Sequence, residues 1–293
     1  MSKPLITVFT PTYNRRHTLH KCYNSLLAQS NKSFVWLIVD DGSTDGTEDL
    51  VREWQCRENG FEIQYAYKEN GGLHTGYNKA IELAETELMM CIDSDDYMTD
   101  DAVEIILSRW KAHQDSKYAG MVFLDITEDG NVIGTKMPDL KSATVYDLYN
   151  RLGVKGDKKQ VYRPELMRPF HSPVFPGEKL FPTCYKYFQV DLTHEMLLFN
   201  EPVCVVEYMP DGYTKNIIKL YKKNLNNYIF YRKFIMTYPN ATLWHRYRFA
   251  IHYVAESLLA RDFRFVKNSP RKLLTLAATP GGLLLYVYLL VKG

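Results

Sequence analysis

Through the first 130 residues short apolar, β-prone runs alternate with segments whose apolar positions recur at a period near 3.6. Leu5–Thr10 is apolar and β-prone, and Thr18 to Gln29 then sets Leu19, Cys22, Leu26 and Leu27 on one helical face. Phe34–Val39 reads as a second strand, Thr47–Glu58 as a helix capped by Asp45, and Phe61–Tyr67 as a third strand. Tyr77–Ala84 is a short helix and Leu88–Ile92 a fourth strand. The helix Asp100–His113 and the strand Gly120–Asp125 follow, with Glu128-Asp129-Gly130-Asn131 a hairpin turn into Val132-Ile133. Strands alternating with helices predict an α/β fold with a mostly parallel sheet. Each strand ends in a polar or Gly-rich turn, so the turns gather on one sheet edge, where such folds bind ligands.

Beyond Ile133 the pattern weakens. Lys155–Gln160 reads as a charged loop, and five prolines between Pro164 and Pro182 predict irregular structure or a lid around Phe170-His171-Ser172. From about Asn216 the chain turns helical and rich in Tyr, Phe, Lys and Arg. Leu273 to Leu290 is strongly apolar behind Arg271-Lys272, but Thr279-Pro280-Gly281-Gly282 interrupts it. Such a break predicts two pieces, each too short to cross a bilayer, lying in the membrane plane. The other reading is a helical pair packed on the catalytic domain or forming a homo-oligomer interface.

Composition adds charge asymmetry to this picture. The 293 residues are 46% hydrophobic and 24% charged, ordinary for a globular protein. A net charge of +2 conceals an acidic body and a basic tail, because Tyr213 onward holds fourteen Lys and Arg against two acidic residues. A basic tail calls for an anionic partner. No recognition motif accompanies it, which disfavours nucleic acid and favours an anionic membrane surface. Five scattered cysteines without metal spacing suit a reducing compartment. The N-terminal apolar stretch is too short for a signal peptide and reads as a first strand, so the expected location is the cytoplasm.

The densest chemistry is Asp93-Ser94-Asp95-Asp96, three carboxylates in four positions after a buried strand. Like charges repel, and such a cluster is stable where a cation is shared, so an Asp-X-Asp pair suits Mg²⁺ or Mn²⁺ with phosphate oxygens completing the shell. A solvated turn before a helix is the plainer alternative, with Asp96 capping that helix. Thr10-Pro11-Thr12-Tyr13-Asn14-Arg15 closes the first strand with a stacking ring and a charge suited to phosphate. Asp40-Asp41-Gly42-Ser43-Thr44-Asp45 closes the second, as an Asx-turn or as an acceptor for a uracil imide N–H.

Those two turns, together with Asn70-Gly71-Gly72, the helix end Ser25-Leu26-Leu27-Ala28-Gln29-Ser30 and the acidic turn, resemble the GT-A glycosyltransferases of family 2. The resemblance covers roughly the first 130 residues and, less specifically, bacterial capsule and cell-wall members beyond. It implies an inverting transferase that uses a nucleotide sugar. Pro11 and Tyr13 would contact the nucleoside, Asp41 would pair with uracil N3–H, and Asn70 and Asn78 would line the donor pocket. Asp93 would face the ribose or the metal, and Asp95 would ligate the metal at the diphosphate. Many members carry a Gly-Glu-Asp motif whose Asp is the general base; here Gly177-Glu178-Lys179 leaves Glu178 as the candidate, with Asp191 and Asp211 as rivals. His74, His171 and His194 lack supporting spacing. Asp211-Gly212-Tyr213 resembles a late donor- or acceptor-side loop.

The expected plan is a GT-A catalytic domain over residues 1–212, with 1–130 binding nucleotide sugar and 131–212 the acceptor side, and a helical extension over 213–293. No Gln-X-X-Arg-Trp motif of processive synthases occurs. The expected activity is transfer of a single sugar, from a UDP-sugar with Mn²⁺ or Mg²⁺, to a lipid-linked or surface glycan at the inner face of the cell membrane. A sugar nucleotidyltransferase or a non-catalytic nucleotide-sugar or glycan-binding protein are the alternatives. The first needs a Gly-rich phosphate loop, and Thr10–Arg15 has no glycine.

Overall fold

The computed structural model describes residues 4–207 and 217–292. The chain forms two compact units: residues 1–171 with 186–209, and residues 172–185 with 210–293.

In the first unit, β1 (Ile6–Thr12), α1 (Leu19–Ala28), β2 (Phe34–Asp40), α2 (Thr47–Gln55), β3 (Glu62–Tyr67), α3 (Leu73–Leu83) and β4 (Leu88–Cys91) alternate as the hydrophobic periods predict. Their strands pair in parallel in the order β3-β2-β1-β4. Every residue of β1 and β2 is buried, which is why both read as continuous apolar runs rather than alternating ones. On one face Tyr23 stacks 4.2 Å from Trp54, and both lie against Trp36 of β2.

The sheet continues through β5 (Tyr97–Met98), α4 (Ala102–His113), β6 (Tyr118–Ile126), β7 (Ser142–Ala143), α5 (Val145–Asn150), β8 (Lys158–Tyr162), α6 (Pro164–Met167), α7 (Cys184–Val190) and β9 (Glu195–Val205). Lys158–Gln160, the second half of the segment read as a charged loop, instead open β8, an antiparallel strand between β4 and β6 at the middle of the sheet. Its lysines are buried: the Lys158 ammonium donates to the carbonyls of Ile133, Lys155 and Asp157, and Lys159 pairs with carboxylates. A buried lysine is tolerated when paired, and here pairing overrides composition. Gly120, at φ +149, stands where β6 passes too close to the Val161 carbonyl for any side chain.

The second unit contains α8 (Ile217–Lys223), α9 (Leu225–Thr237), α10 (Leu243–Leu259), α11 (Phe265–Asn268) and α12 (Lys272–Lys292). The sequence predicts a break at Pro280, yet α12 runs unbroken through it. Proline removes one backbone hydrogen bond, and the two glycines that follow serve another purpose. A Cβ at Gly282 would lie 2.5 Å from Val254 Cβ, so the missing side chains let α12 press onto α10. Packing of this kind, rather than propensity, holds most helices. Beneath it Arg232 Nε lies 2.9 Å from Glu256 Oε1, and Glu256 also accepts from the Tyr221 hydroxyl. This buried charge is paired and hydrogen-bonded, as burial demands.

Candidate functional site

Because β1, β2 and β4 are parallel, their carboxyl ends share one edge and bring three of the polar turns side by side. The first two turns are laced together. Asn14, in the left-handed region at φ 51, donates from its backbone to Ser43 Oγ at 2.9 Å and accepts from Thr44 N at 2.8 Å. Arg16 N adds a bond to Asp45 Oδ2 at 3.0 Å. This lacing holds Tyr13 with half its surface exposed, a ring available for stacking on a base. Pro11 is buried within β1, with Gly76 of α3 passing close above it.

Asp41 sits differently from the sequence expectation. Its carboxylate is buried and accepts from Gly71 N at 2.9 Å, Gly72 N at 2.7 Å, Asn70 Nδ2 at 3.2 Å and the Lys68 ammonium. Four donors fill the lone-pair sites of a carboxylate, so Asp41 clamps the Asn70–Gly72 turn to the end of β2 instead of presenting an open acceptor to uracil. Asn70 also donates to the Asp41 carbonyl at 2.7 Å. Gly42, at φ +86, lets the turn close over Asn70. Asn78 is half-buried on α3.

The three acids after β4 divide into unequal roles. Asp93 is exposed and Asp95 half-buried, while Asp96 turns inward and is buried. Asp96 N bonds to the Asp93 carbonyl at 3.0 Å, closing the turn, and Asp96 Oδ1 accepts from Glu207 N at 3.2 Å. Lys159 Nζ lies 3.9 Å from Asp96 and 3.8 Å from Asp125, a buried carboxylate on β6. Burial pushes the Asp96 carboxyl up to about 7 against the pull of Lys159, and Asp93 and Asp95 add repulsion. Burial likewise raises Asp125 to about 6. Burial alone would depress the Lys159 ammonium, but the surrounding acids hold it well above its ordinary value. Asp96 does not cap the next helix; Asp101 takes the N-cap position of α4.

Among the described residues no three His, Cys, Asp or Glu converge as a self-sufficient metal cage. The exposed Asp93 and the half-buried Asp95 at a strand end fit instead a hard cation that completes its shell with phosphate oxygens and water. Behind them stands a residue that motif reading passes over. Lys186 is fully buried, its Nζ lies 4.8 Å from the Tyr77 ring centre, and it has no hydrogen-bond partner among the described residues. Burial depresses its ammonium to about 7, opposed by the nearby Cys91. Cys91 Sγ in turn lies 3.6 Å from Asp93 Oδ1. Periodicity cannot reveal such a lysine, because nothing local marks it as buried.

Two of the base candidates serve as helix caps. Glu178, in the second unit, accepts from Asn226 N at 2.8 Å and Asn227 N at 2.7 Å, free backbone donors at the head of α9, and from the Asn226 side chain at 2.8 Å. It caps that helix. Asp191 caps α5 in the same way, accepting from Val145 N and Tyr146 N at 3.0 and 2.7 Å. It lines a cavity of about 410 Å³ with Lys117, Thr193 and His194. That cavity lies where β6 and β9 begin, and both run with β4, so Asp191 and His194 belong to the edge opposite the strand-end turns. His171 is exposed beside Glu82, and His74 is buried in α3. Asp211, with its loop Asp211-Gly212-Tyr213, lies outside the described residues.

The family model for glycosyl transferase family 2 matches residues 7–167, more than half of the chain. The chain belongs to that family. Glycosyltransferase TuaG of Bacillus subtilis, named for teichuronic acid biosynthesis, is 37% identical over 102 residues, 35% of this chain and 40% of TuaG. An uncharacterized family relative from Rickettsia conorii, RC0461, is 31% identical over 203 residues, 67% of this chain and 29% of that protein. The chain thus spans well under half the length of these curated relatives. S. aureus TarS 1–349 with UDP superimposes at a TM-score of 0.58, 19% identity, covering 97% of this chain and 90% of that one. The mannosyltransferase PcManGT of Pyrobaculum calidifontis, with GDP-Man and Mn²⁺, gives 0.56 at 16% identity, over 97% and 88%. At such identities the likeness establishes the family's GT-A type of fold.

Proposed function

We propose that this family 2 member is an inverting glycosyltransferase that moves a single sugar from a UDP-sugar to a lipid-linked or surface glycan at the inner face of a bacterial membrane. The observation that carries the reading is the division of labour in the acidic turn. Asp93 and Asp95 are presented at the edge, while Asp96 is withdrawn and paired with Lys159. A merely solvated turn has no need of a buried lysine. TarS is described with UDP and UDP-GlcNAc, and PcManGT with GDP-Man and Mn²⁺, which supports a nucleotide-sugar donor.

Asp93 and Asp95 would hold Mn²⁺ or Mg²⁺, which when bound neutralises charge on the departing diphosphate. Tyr13 stacks on the nucleoside, and Pro11 stiffens the strand beneath it. Asp41 shapes the pocket by fixing Asn70 and its glycines, and Asn78 lines it from α3. The acceptor hydroxyl loses its proton to a carboxylate as it attacks the anomeric carbon from the face opposite the diphosphate. With Glu178 and Asp191 engaged as helix caps, Asp211 is the candidate that remains.

A panel of UDP- and GDP-sugars, read by thermal shift with and without Mn²⁺, tests the donor half. A UDP-sugar is expected to raise the melting temperature with Mn²⁺ and to lose that effect in Asp95→Asn. Asp211→Asn is expected to keep donor binding and lose transfer. Donor binding without turnover on any acceptor would instead favour a nucleotide-sugar-binding protein.

A further inference from the structure

Among the described residues, one face of α12 is unpartnered along its length. Thr275, Ala278, Gly282 and Leu289 are buried against the rest of the second unit, whereas Leu273, Leu276, Leu283, Leu284, Val287 and Val291 are 47–83% exposed. The spacing of these exposed residues places them on one stripe. From Leu273 to Val291 the helix carries no charged residue, and at 1.5 Å per residue the stripe is about 27 Å long. An exposed apolar surface of that extent marks an interaction site.

What borders the stripe identifies its occupant. The connection leading into α12 carries Arg261, Arg264, Lys267, Arg271 and Lys272, all exposed, against the single acid Asp262. Phe263 stands 76% exposed among them. At the start of α10, Trp244 is 71% exposed and lies 6.0 Å from Tyr247, whose hydroxyl reaches the Ala277 carbonyl on α12. Apolar side chains ringed by cations and an interfacial tryptophan match a bilayer surface bearing anionic headgroups. A second copy packed in parallel would bring the same cations against themselves.

Length and hydropathy alone would let α12 cross a membrane. Its packing argues otherwise. α12 presses onto α10, which carries Arg246, Arg248, His252 and Glu256, and crossing would drag those groups into hydrocarbon. We propose that α12 lies in the plane of an anionic bilayer, its exposed stripe in the acyl boundary and the 261–272 cations on the headgroups. This rests on the membrane-side acceptor proposed above.

The test uses the full chain with vesicles of phosphatidylcholine alone or with about one-third phosphatidylglycerol. Trp36, Trp54 and Trp110 are buried, so a change in tryptophan emission reports Trp244. Expected are co-sedimentation with the anionic vesicles, a blue shift absent in Trp244→Phe, and release by alkaline carbonate. Leu284→Glu with Val287→Glu is expected to weaken vesicle binding at least tenfold while leaving the UDP-sugar thermal shift unchanged. Retention through carbonate would overturn the in-plane placement. Unaltered vesicle binding by the double variant, with loss of a solution dimer, would assign the stripe to a second copy and overturn the proposal. Transfer to a water-soluble acceptor without vesicle binding would sink the surface and spare the enzyme. Vesicle binding without transfer would do the reverse.

Discussion

Lys159 Nζ lies 3.9 Å from Asp96 Oδ2, and that contact separates the buried acid that supports the strand-end turn from the exposed Asp93 and half-buried Asp95. It also reaches Asp125, so one ammonium serves two buried carboxylates on different strands and loops.

Lys159→Met should therefore strand both acids. Removing one partner of a buried pair costs about 3–5 kcal/mol. Urea unfolding at pH 7.5 is expected to show a loss of that order, shrinking toward pH 5 as Asp96 and Asp125 take up protons. A loss below about 1 kcal/mol would mean that the pair does not anchor the turn.

Glu178→Ala should act on stability. Three donors at the head of α9 lose their acceptor, for an expected cost of about 1–3 kcal/mol in thermal unfolding. Hydrolysis of the donor, which needs no glycan acceptor, should keep its rate constant at temperatures where the variant is folded. If Glu178→Gln kept full stability and lost transfer by a thousandfold, the cap assignment would give way to a catalytic one.

Gly282→Ala tests the helix crossing. The new methyl would fall 2.5 Å from Val254 Cβ and Cγ1, and overpacking of this kind costs about 1–3 kcal/mol. Adding Val254→Ala is expected to restore part of the loss, measured as a double-mutant cycle. Simple additivity would show that the two helices do not meet at this point.

Acid should loosen the second unit. Burial holds both His245 and His252 down to about 4, with Arg232 and Arg248 adding repulsion. Unfolded, each titrates near 6.5. The unfolded chain thus binds more protons between those values, and stability present above pH 6.5 is lost as pH falls toward 4. The variant His245→Gln with His252→Gln is expected to flatten that slope in a pH series of thermal melts.

The first four strands and their turns were legible because each is encoded in a short contiguous stretch. Thr10–Arg15, Asp40–Asp45 and Asp93–Asp96 each combine a strand end, a turn residue and the chemistry within six positions or fewer. β8 was hidden because its lysines become strand residues only through carbonyls and carboxylates elsewhere in the chain, as with Lys159 and Asp125. Pro280 misled for a similar reason, since the compensation comes from α10. The capping contacts of Glu178 come from donors 48 and 49 residues further along, which no local motif encodes. What sequence patterns missed was in each case a contact between distant segments.

The place of β8 also bears on how the chain is made. β4 pairs with β1 on one side and with β8 on the other, yet some seventy residues separate β4 from β8 in the order of synthesis. A nascent chain that has completed its first four strands carries β4 as a bare hydrogen-bonding edge until residues 158–162 emerge. Such an edge invites pairing with a neighbouring chain. The two lysines that begin β8 are buried in the folded chain and lose their water only when that strand docks. Ribosome-bound chains ending before β8 should be the ones that need a chaperone.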